Sequence, residues 1–289
     1  MLGDEKWTTL ARKWMYYLPP GRPSNTDLRE IRGIIQRRLG ASEKINALIL
    51  GATPEFRDLL YTLDASVSVV DRNPDMIKAT SYLRLFDSKE QIHGEDWFDF
   101  LPRNEGAFDL ILSDFTQGNM HYDRQEEFYW LVSNALAPHG YFVDRVLTFR
   151  SQSLVYSSKD LLKHFANCPL NLVTLNNVMF QLFFASDLTC QWEMVDVDRM
   201  FGVMEKHSEQ DPGLRKFVTF MKEFIFGEGL VWYYGRDWTR ISENYFKHLE
   251  LVEEIPDTET VYAGFAYIIV STAKRSQHGL IEECGTESP

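Results

Sequence analysis

Two residues twenty positions apart, Gly51 and Asp71, each close a short apolar run: Ala47–Leu50 before the first and Val67–Val70 before the second. A glycine at a strand end lets the backbone turn tightly and approach a ligand. A carboxylate about 20 residues further on, at the end of the next strand, can accept hydrogen bonds from both hydroxyls of a ribose. The pair therefore points to a nucleoside-containing cofactor, with Ala52 and Arg72 as adjacent contacts. Asp71 can instead cap the following helix together with Asn73. A third carboxylate, Asp114, closes the run Phe108–Ser113 and opens a polar loop carrying His121. A histidine there has an ordinary pKa near ~6.5 and can serve as a general base, although a surface-loop histidine is the commoner occurrence. Tyr122 beside it carries no stronger signal.

The elements that must position these groups alternate. Residues 46–50, 66–70, 108–114 and 141–147 read as strands, and 93–97 as a short segment ending in acids and an aromatic. Thr53-Pro54 and Asn73-Pro74 each place a capping residue before a helix-starting proline. The second of these helices is expected to run to about Leu85, and a further helix spans Glu126–Leu136, stopped by Pro138-His139-Gly140. Strands alternating with helices predict a doubly wound α/β sheet with right-handed crossovers. Ahead of it, residues 5–18 and 26–39 read as two amphipathic helices separated by Pro19–Pro23. Beyond it, about 155–245 reads as a mostly helical insertion, with one strand expected at Val173–Phe184 and helices at Gln191–His207 and Asp211–Phe226. Strand character returns at His248–Glu254 and Gly264–Thr272, an antiparallel pair. The resulting domain reading is an N-terminal helical lid at 1–43, a Rossmann-like domain at 44–275 and a flexible tail at 276–289.

Composition narrows the partners. The net charge of −12 argues against nucleic acid, which needs lysine and arginine gathered on one face. Cys168, Cys190 and Cys284 are too scattered for a disulfide framework or a zinc site, so a reducing, cytoplasmic setting is expected. No apolar run reaches the roughly 18 residues a membrane span needs, and the N-terminus lacks an apolar signal core. The aromatics Phe224, Phe226, Trp232, Tyr233, Tyr234 and Trp238 suggest walls for a planar or apolar small molecule, the core of the insertion, or a homodimer contact.

From Lys44 to Arg150 the chain resembles a class I S-adenosylmethionine-dependent methyltransferase. Leu48–Gly51 resembles the cofactor loop, Val69–Asp71 the ribose-binding acid, and Gly94–Trp97 the adenine-contacting segment. Phe108–Asp114 and Leu136–Val143 resemble the fourth and fifth strands. The resemblance implies a seven-stranded sheet with an antiparallel last strand, S-adenosyl-L-methionine as cofactor, and direct methyl transfer to a small-molecule substrate. It also implies roles. Asp96 and Trp97 would contact adenine, unless they are a loop acid beside a core tryptophan. Asp114 would orient the methionine ammonium or the substrate, and Arg22 would pair with the methionine carboxylate. The glycine loop departs from the family pattern, because Thr53 and Glu55 stand where further glycines are usual. Two alternatives follow: a methyltransferase-like interaction module without catalysis, and a nicotinamide-dependent oxidoreductase, which wants the absent Gly-x-Gly-x-x-Gly.

Overall fold

A computed structural model describes residues 4–40, 44–87, 89–147, 156–183, 185, 195–209, 211–225, 231–232, 238–258 and 266–274. The first strands are short and buried. β1 (Asn46–Leu50) and β2 (Ser66–Val70) each bury four of five residues, as expected where both faces of a parallel sheet are covered. β3 (Gln91–His93), β4 (Phe108–Asp114) and β5 (Leu136–Leu147) continue the parallel set. β6 (Val195–Asp196) and β7 (Val231–Trp232) pair only with each other. β8 (Leu249–Pro256) and β9 (Ala266–Ala273) complete a seven-stranded sheet in the order β3-β2-β1-β4-β5-β9-β8. β9 runs antiparallel to both neighbours, with Val143 opposite Val270. That wedge separates the sheet from the all-parallel 3-2-1-4-5-6 order of dinucleotide-binding dehydrogenases.

Strand alternation divides the core. Ala47 and Ile49 face α2 (Asn25–Leu39), α3 (Pro54–Thr62) and α4 (Pro74–Ser81), where Ile31, Ile35, Phe56 and Ile77 pack. Leu48 and Leu50 face the other layer: α5 (Trp97–Phe100), α6 (Gln125–Ala135) and α11 (Trp238–His248). There Tyr129 and Tyr245 meet with ring centroids 4.6 Å apart. α1 (Asp4–Lys13) joins a third cluster, built by α7 (Ser158–Phe165), α8 (Leu172–Phe183), α9 (Val197–Ser208) and α10 (Pro212–Phe224). That cluster also contains Phe115 and Leu147, at the carboxyl ends of β4 and β5. The N-terminal segment and the insertion therefore pack together over the end of the sheet where ligands bind in open α/β folds.

Several boundaries differ from expectation, each for a tertiary reason. The first helix ends at Lys13 and continues as a 3₁₀ turn, Trp14–Tyr16. Tyr17 then donates its hydroxyl to the Ile225 carbonyl (2.6 Å), and Asn176 Oδ1 accepts from the Leu18 N–H (3.0 Å). α4 stops at Ser81 rather than near Leu85, because the Asp58 carboxylate accepts from the Leu85 and Phe86 N–H groups at 2.8 and 3.2 Å. β5 begins at Leu136, and Pro138–Gly140 forms a bulge rather than a turn between elements. A Cβ at Gly140 would lie 2.6 Å from the Phe108 carbonyl oxygen, so the bulge requires glycine. Over its described residues the expected strand at 173–184 is instead the helix α8, which ends at Phe183. Its buried residues Leu175, Val178, Met179 and Leu182 follow the helical period, which the density of β-formers obscured. The helix expected from Gln191 starts at Val197, capped by Asp196. The tail at 276–289, with Phe226, Tyr233 and Tyr234, lies outside the described residues.

Candidate active site

A cleft of about 560 Å³ opens at the carboxyl ends of β1, β2 and β4, within the range of small-molecule and cofactor sites. Its floor is the β1–α3 connection. Gly51 has φ of +100°, where other residues are strained, and no atom lies within 4 Å of the position a Cβ would take. Its N–H is bound to the Val70 carbonyl at 2.8 Å, which leaves Ala52 and Thr53 as exits from the strand. α3 follows with Pro54 in its first turn, and helix N-termini present unpaired N–H groups suited to anionic or polar ligand atoms.

Asp71 lines the cleft at the end of β2, and its Oδ1 accepts from the Asn73 N–H at 2.8 Å. One oxygen thus sets the turn into α4 while the carboxyl remains in the cleft wall. Burial raises its pKa to about 6, against the lowering effect of the Asn73 N–H and the Arg72 guanidinium. Arg72 also lines the cleft and reaches Asp96 Oδ2 at 3.4 Å. Asp96 caps α5 by accepting from the Phe98 N–H at 3.0 Å. Trp97 donates its indole N–H to the Val70 carbonyl at 2.9 Å, which fixes its ring at the cleft edge. The segment is therefore in the cleft, with both Asp96 oxygens and the Trp97 indole already engaged.

Asp114 sits on the opposite side, its side chain nearly buried and held by two residues. It pairs with Arg145 Nη1 and accepts from Thr53 Oγ1 at 3.3 Å. Arg145 Nη2 lies 3.2 Å from Asp27 Oδ2 and donates to the Pro20 carbonyl at 3.0 Å. Burial lifts the Asp114 pKa to about 6 even against Arg145, with Glu55 and Asp27 adding to the rise. His121 lines the mouth on the loop after β4; its Nδ1 accepts from the Asp123 N–H at 3.3 Å.

Arg22 stands apart from the other predicted residues. Its Nε donates to Glu55 Oε1 at 2.6 Å in a part-buried pair, and it does not line the cleft. In the aromatic segment, Phe224 meets Tyr16 edge-on at 5.2 Å within the insertion cluster, Trp232 lies on β7, and Trp238 opens α11. Asn119 and Met120, on the polar loop that carries His121, line the cleft as well, and sequence reasoning missed Trp14 and Arg124, which also line it. It also missed Arg145 and Asp27. The signal available was the Asp144-Arg145 pair inside an otherwise apolar strand. Among the described residues, no group of three or more His, Cys, Asp or Glu side chains could hold a metal ion.

No family model matches the chain, and no curated protein matches it. Solved structures do. A Rhodobacter sphaeroides protein, provisionally described as a zinc-dependent alcohol dehydrogenase, superposes with a TM-score of 0.57 at 14% identity, over 94% of this chain and 98% of that one. The PH0226 protein of Pyrococcus horikoshii gives 0.51 at 14% identity, over 90% and 98%. The Burkholderia thailandensis 1,6-didemethyltoxoflavin-N1-methyltransferase, with bound 1,6-didemethyltoxoflavin and S-adenosylhomocysteine, gives 0.48 at 12% identity, over 96% and 92%. With the strand order β3-β2-β1-β4-β5-β9-β8 and β9 antiparallel, this chain has the class I S-adenosylmethionine-dependent methyltransferase fold.

Proposed function

We propose that the protein is an S-adenosylmethionine-dependent methyltransferase acting on a small molecule. The observation that carries this reading is the single cleft shared by Gly51, Asp71, Asp96, Trp97 and Asp114, which come from four separate strand ends and loops. The residues fit the cofactor: open space above Gly51 admits a ligand against the backbone, and the Asp71 carboxyl lines the same cleft. Asp71 would accept from the ribose hydroxyls, and Arg72, Asp96 and Trp97 would border the adenine. Ala52 would line the backbone turn. Asp114, held by Arg145, would face the methionine ammonium. Arg22 is left out of this assignment because Glu55 holds it. The net charge of −12 favours a small-molecule acceptor over nucleic acid.

When bound, the cofactor supplies a methyl group already activated on a sulfonium. The chain's own work is then alignment and exclusion of water, effects that can supply several kcal/mol. An oxygen or nitrogen acceptor also loses a proton, and His121 is the group at the mouth that can take it, with Asp114 second.

Thermal unfolding with S-adenosylmethionine, S-adenosylhomocysteine and NAD in parallel tests the reading. A ligand at 100 times its Kd stabilises by about 2.7 kcal/mol, a rise of several degrees. A shift with the adenosyl ligands alone is expected. No shift with any of them overturns the proposal and favours a non-catalytic interaction module.

A further inference from the structure

The β3 edge of the sheet carries an apolar surface that the cleft does not use. Five of the ten large apolar side chains exposed among the described residues lie there: Tyr61 near the end of α3, Tyr82, Leu85 and Phe86 after α4, and Ile92 on β3. Leu85 is 83% exposed and Tyr82 79%. Ile92 sits opposite Val69 in the β2–β3 register, and Val69 packs with Phe56 of α3 and Ile77 of α4. Ile92 therefore shares the face of the sheet that α3 and α4 cover. Exposed apolar side chains gathered on one face mark an interaction surface.

The surface is held in shape. Tyr61 and Phe86 stack with ring centroids 5.0 Å apart. Asp58 holds the Leu85 and Phe86 N–H groups, and Arg84 donates to the Phe86 carbonyl at 2.6 Å and to Glu90 Oε1 at 2.7 Å. Glu90 in turn pairs with the buried Arg57 guanidinium, which donates to Ser81 Oγ at 2.9 Å. Polar groups of the loop after α4 are thus tied inward while Tyr82 and Leu85 stay in solvent.

The strand edge identifies what can cover it. The Asp71 N–H bonds to the His93 carbonyl, so Gln91 and His93 turn their backbone groups toward β2 and Ile92 turns its N–H and C=O outward. At the other edge of the sheet, β8 carries Glu250, Glu253 and Glu254, charges of the kind that oppose strand pairing. Gln91-Ile92-His93 has no such charge. An antiparallel copy of β3 centred on Ile92 sets Ile92 against itself, Gln91 against His93, and Lys89 against Glu95. Lys89 is exposed and makes no ion pair among the described residues. A two-fold axis through Ile92 thus brings opposite charges together at both ends of the pairing.

We propose that this edge docks a second copy of the chain, in a two-fold dimer whose β3 strands pair antiparallel about Ile92 and whose flanking apolar side chains pack across the axis. The two sheets then form one continuous sheet. This does not depend on the cofactor reading.

Sedimentation velocity over about 1–200 µM protein, a range that reaches the weak end of ordinary interfaces, tests it. A shift toward twice the chain mass with rising concentration is expected. Ile92→Pro removes only an outward N–H, so the β2–β3 ladder survives and the variant should stay monomeric. Lys89→Glu sets like charges against Glu95 at both ends and should weaken the dimer about tenfold. Adding Glu95→Lys should restore it. Circular dichroism checks that each variant folds. Should Ile92→Pro not fold, Leu85→Lys changes a side chain already in solvent and should also give a monomer. A wild type that stays monomeric throughout overturns the proposal and leaves the surface to a different partner. So does a dimer that persists in folded Ile92→Pro or Leu85→Lys, one that Lys89→Glu leaves unchanged, or one that the added Glu95→Lys does not restore.

Discussion

Arg145 of β5 lies 3.2 Å from Asp27 of α2 and also pairs with Asp114 at the end of β4. One buried guanidinium thus joins the N-terminal helices to the sheet and to the cleft wall. Asp27 serves twice, since its carboxylate also accepts from the Ser24 N–H (2.8 Å) in the capping box of α2. Replacing Arg145 by Met leaves two carboxylates buried without their cation. The expected loss is about 3–5 kcal/mol in urea unfolding. Adding Asp114→Asn to Arg145→Met should recover part of it, and a double variant no more stable than the single one would argue against the ion pair as the cause.

Asp71→Ala tests the ribose contact. Charge-assisted hydrogen bonds of about 1.5–3 kcal/mol translate to roughly a 10- to 150-fold weaker S-adenosylhomocysteine affinity by calorimetry, with the circular dichroism spectrum retained. The wild-type affinity should also fall as pH drops through about 6, where the raised carboxyl takes up its proton and ceases to accept two hydrogen bonds. That pH dependence should shrink in Asp71→Ala, the Asp114 carboxyl, also raised to about 6, carrying what remains.

Gly51→Ala separates strain from ligand space. At φ of +100° an alanine is strained, for about 1–3 kcal/mol, although no protein atom lies within 4 Å of the new methyl. Reduced stability together with weakened S-adenosylhomocysteine binding is expected. Lost stability with full affinity would show that the ligand does not approach this backbone.

Asp144 makes a stability prediction that does not involve the ligand. It is buried on β5, and burial, with the Asp114 charge adding, pushes its pKa up to about 8 against the lowering effect of the Ser113 hydroxyl and Arg145. The folded state therefore binds this proton more tightly than the unfolded chain, whose carboxyl titrates near ~3.9. Its contribution to stability is full below that value, declines as pH rises, and levels off above about 8. Asp144→Asn should match the wild type near pH ~4 and become progressively more stable relative to it up to pH ~8, read as the difference in Tm across a pH series. A constant difference across the series would contradict the raised pKa.

Much of this was legible in the chain itself. Apolar runs ending in Gly51, Asp71 and Asp114 fix β1, β2 and β4 almost to the residue, because a strand buried on both faces tolerates little besides β-branched and aliphatic side chains. Ser24 and Asn73 cap α2 and α4, and Pro54 and Pro74 open α3 and α4, so local chemistry alone sets these helix starts. Tertiary structure decided the rest. Whether 173–183 is helix or strand depended on which face found a core, since its intrinsic preference is weak and the insertion cluster supplied a helical stripe with partners. Arg22 fell to Glu55, and Arg145 to Asp114 and Asp27, because ion-pair partners lie far apart in sequence and only packing brings them within reach. The same holds for the apolar surface at the β3 edge. Tyr61, Leu85 and Ile92 carry no shared sequence signal, and they come to one edge only after α3, the loop beyond α4 and β3 have packed side by side.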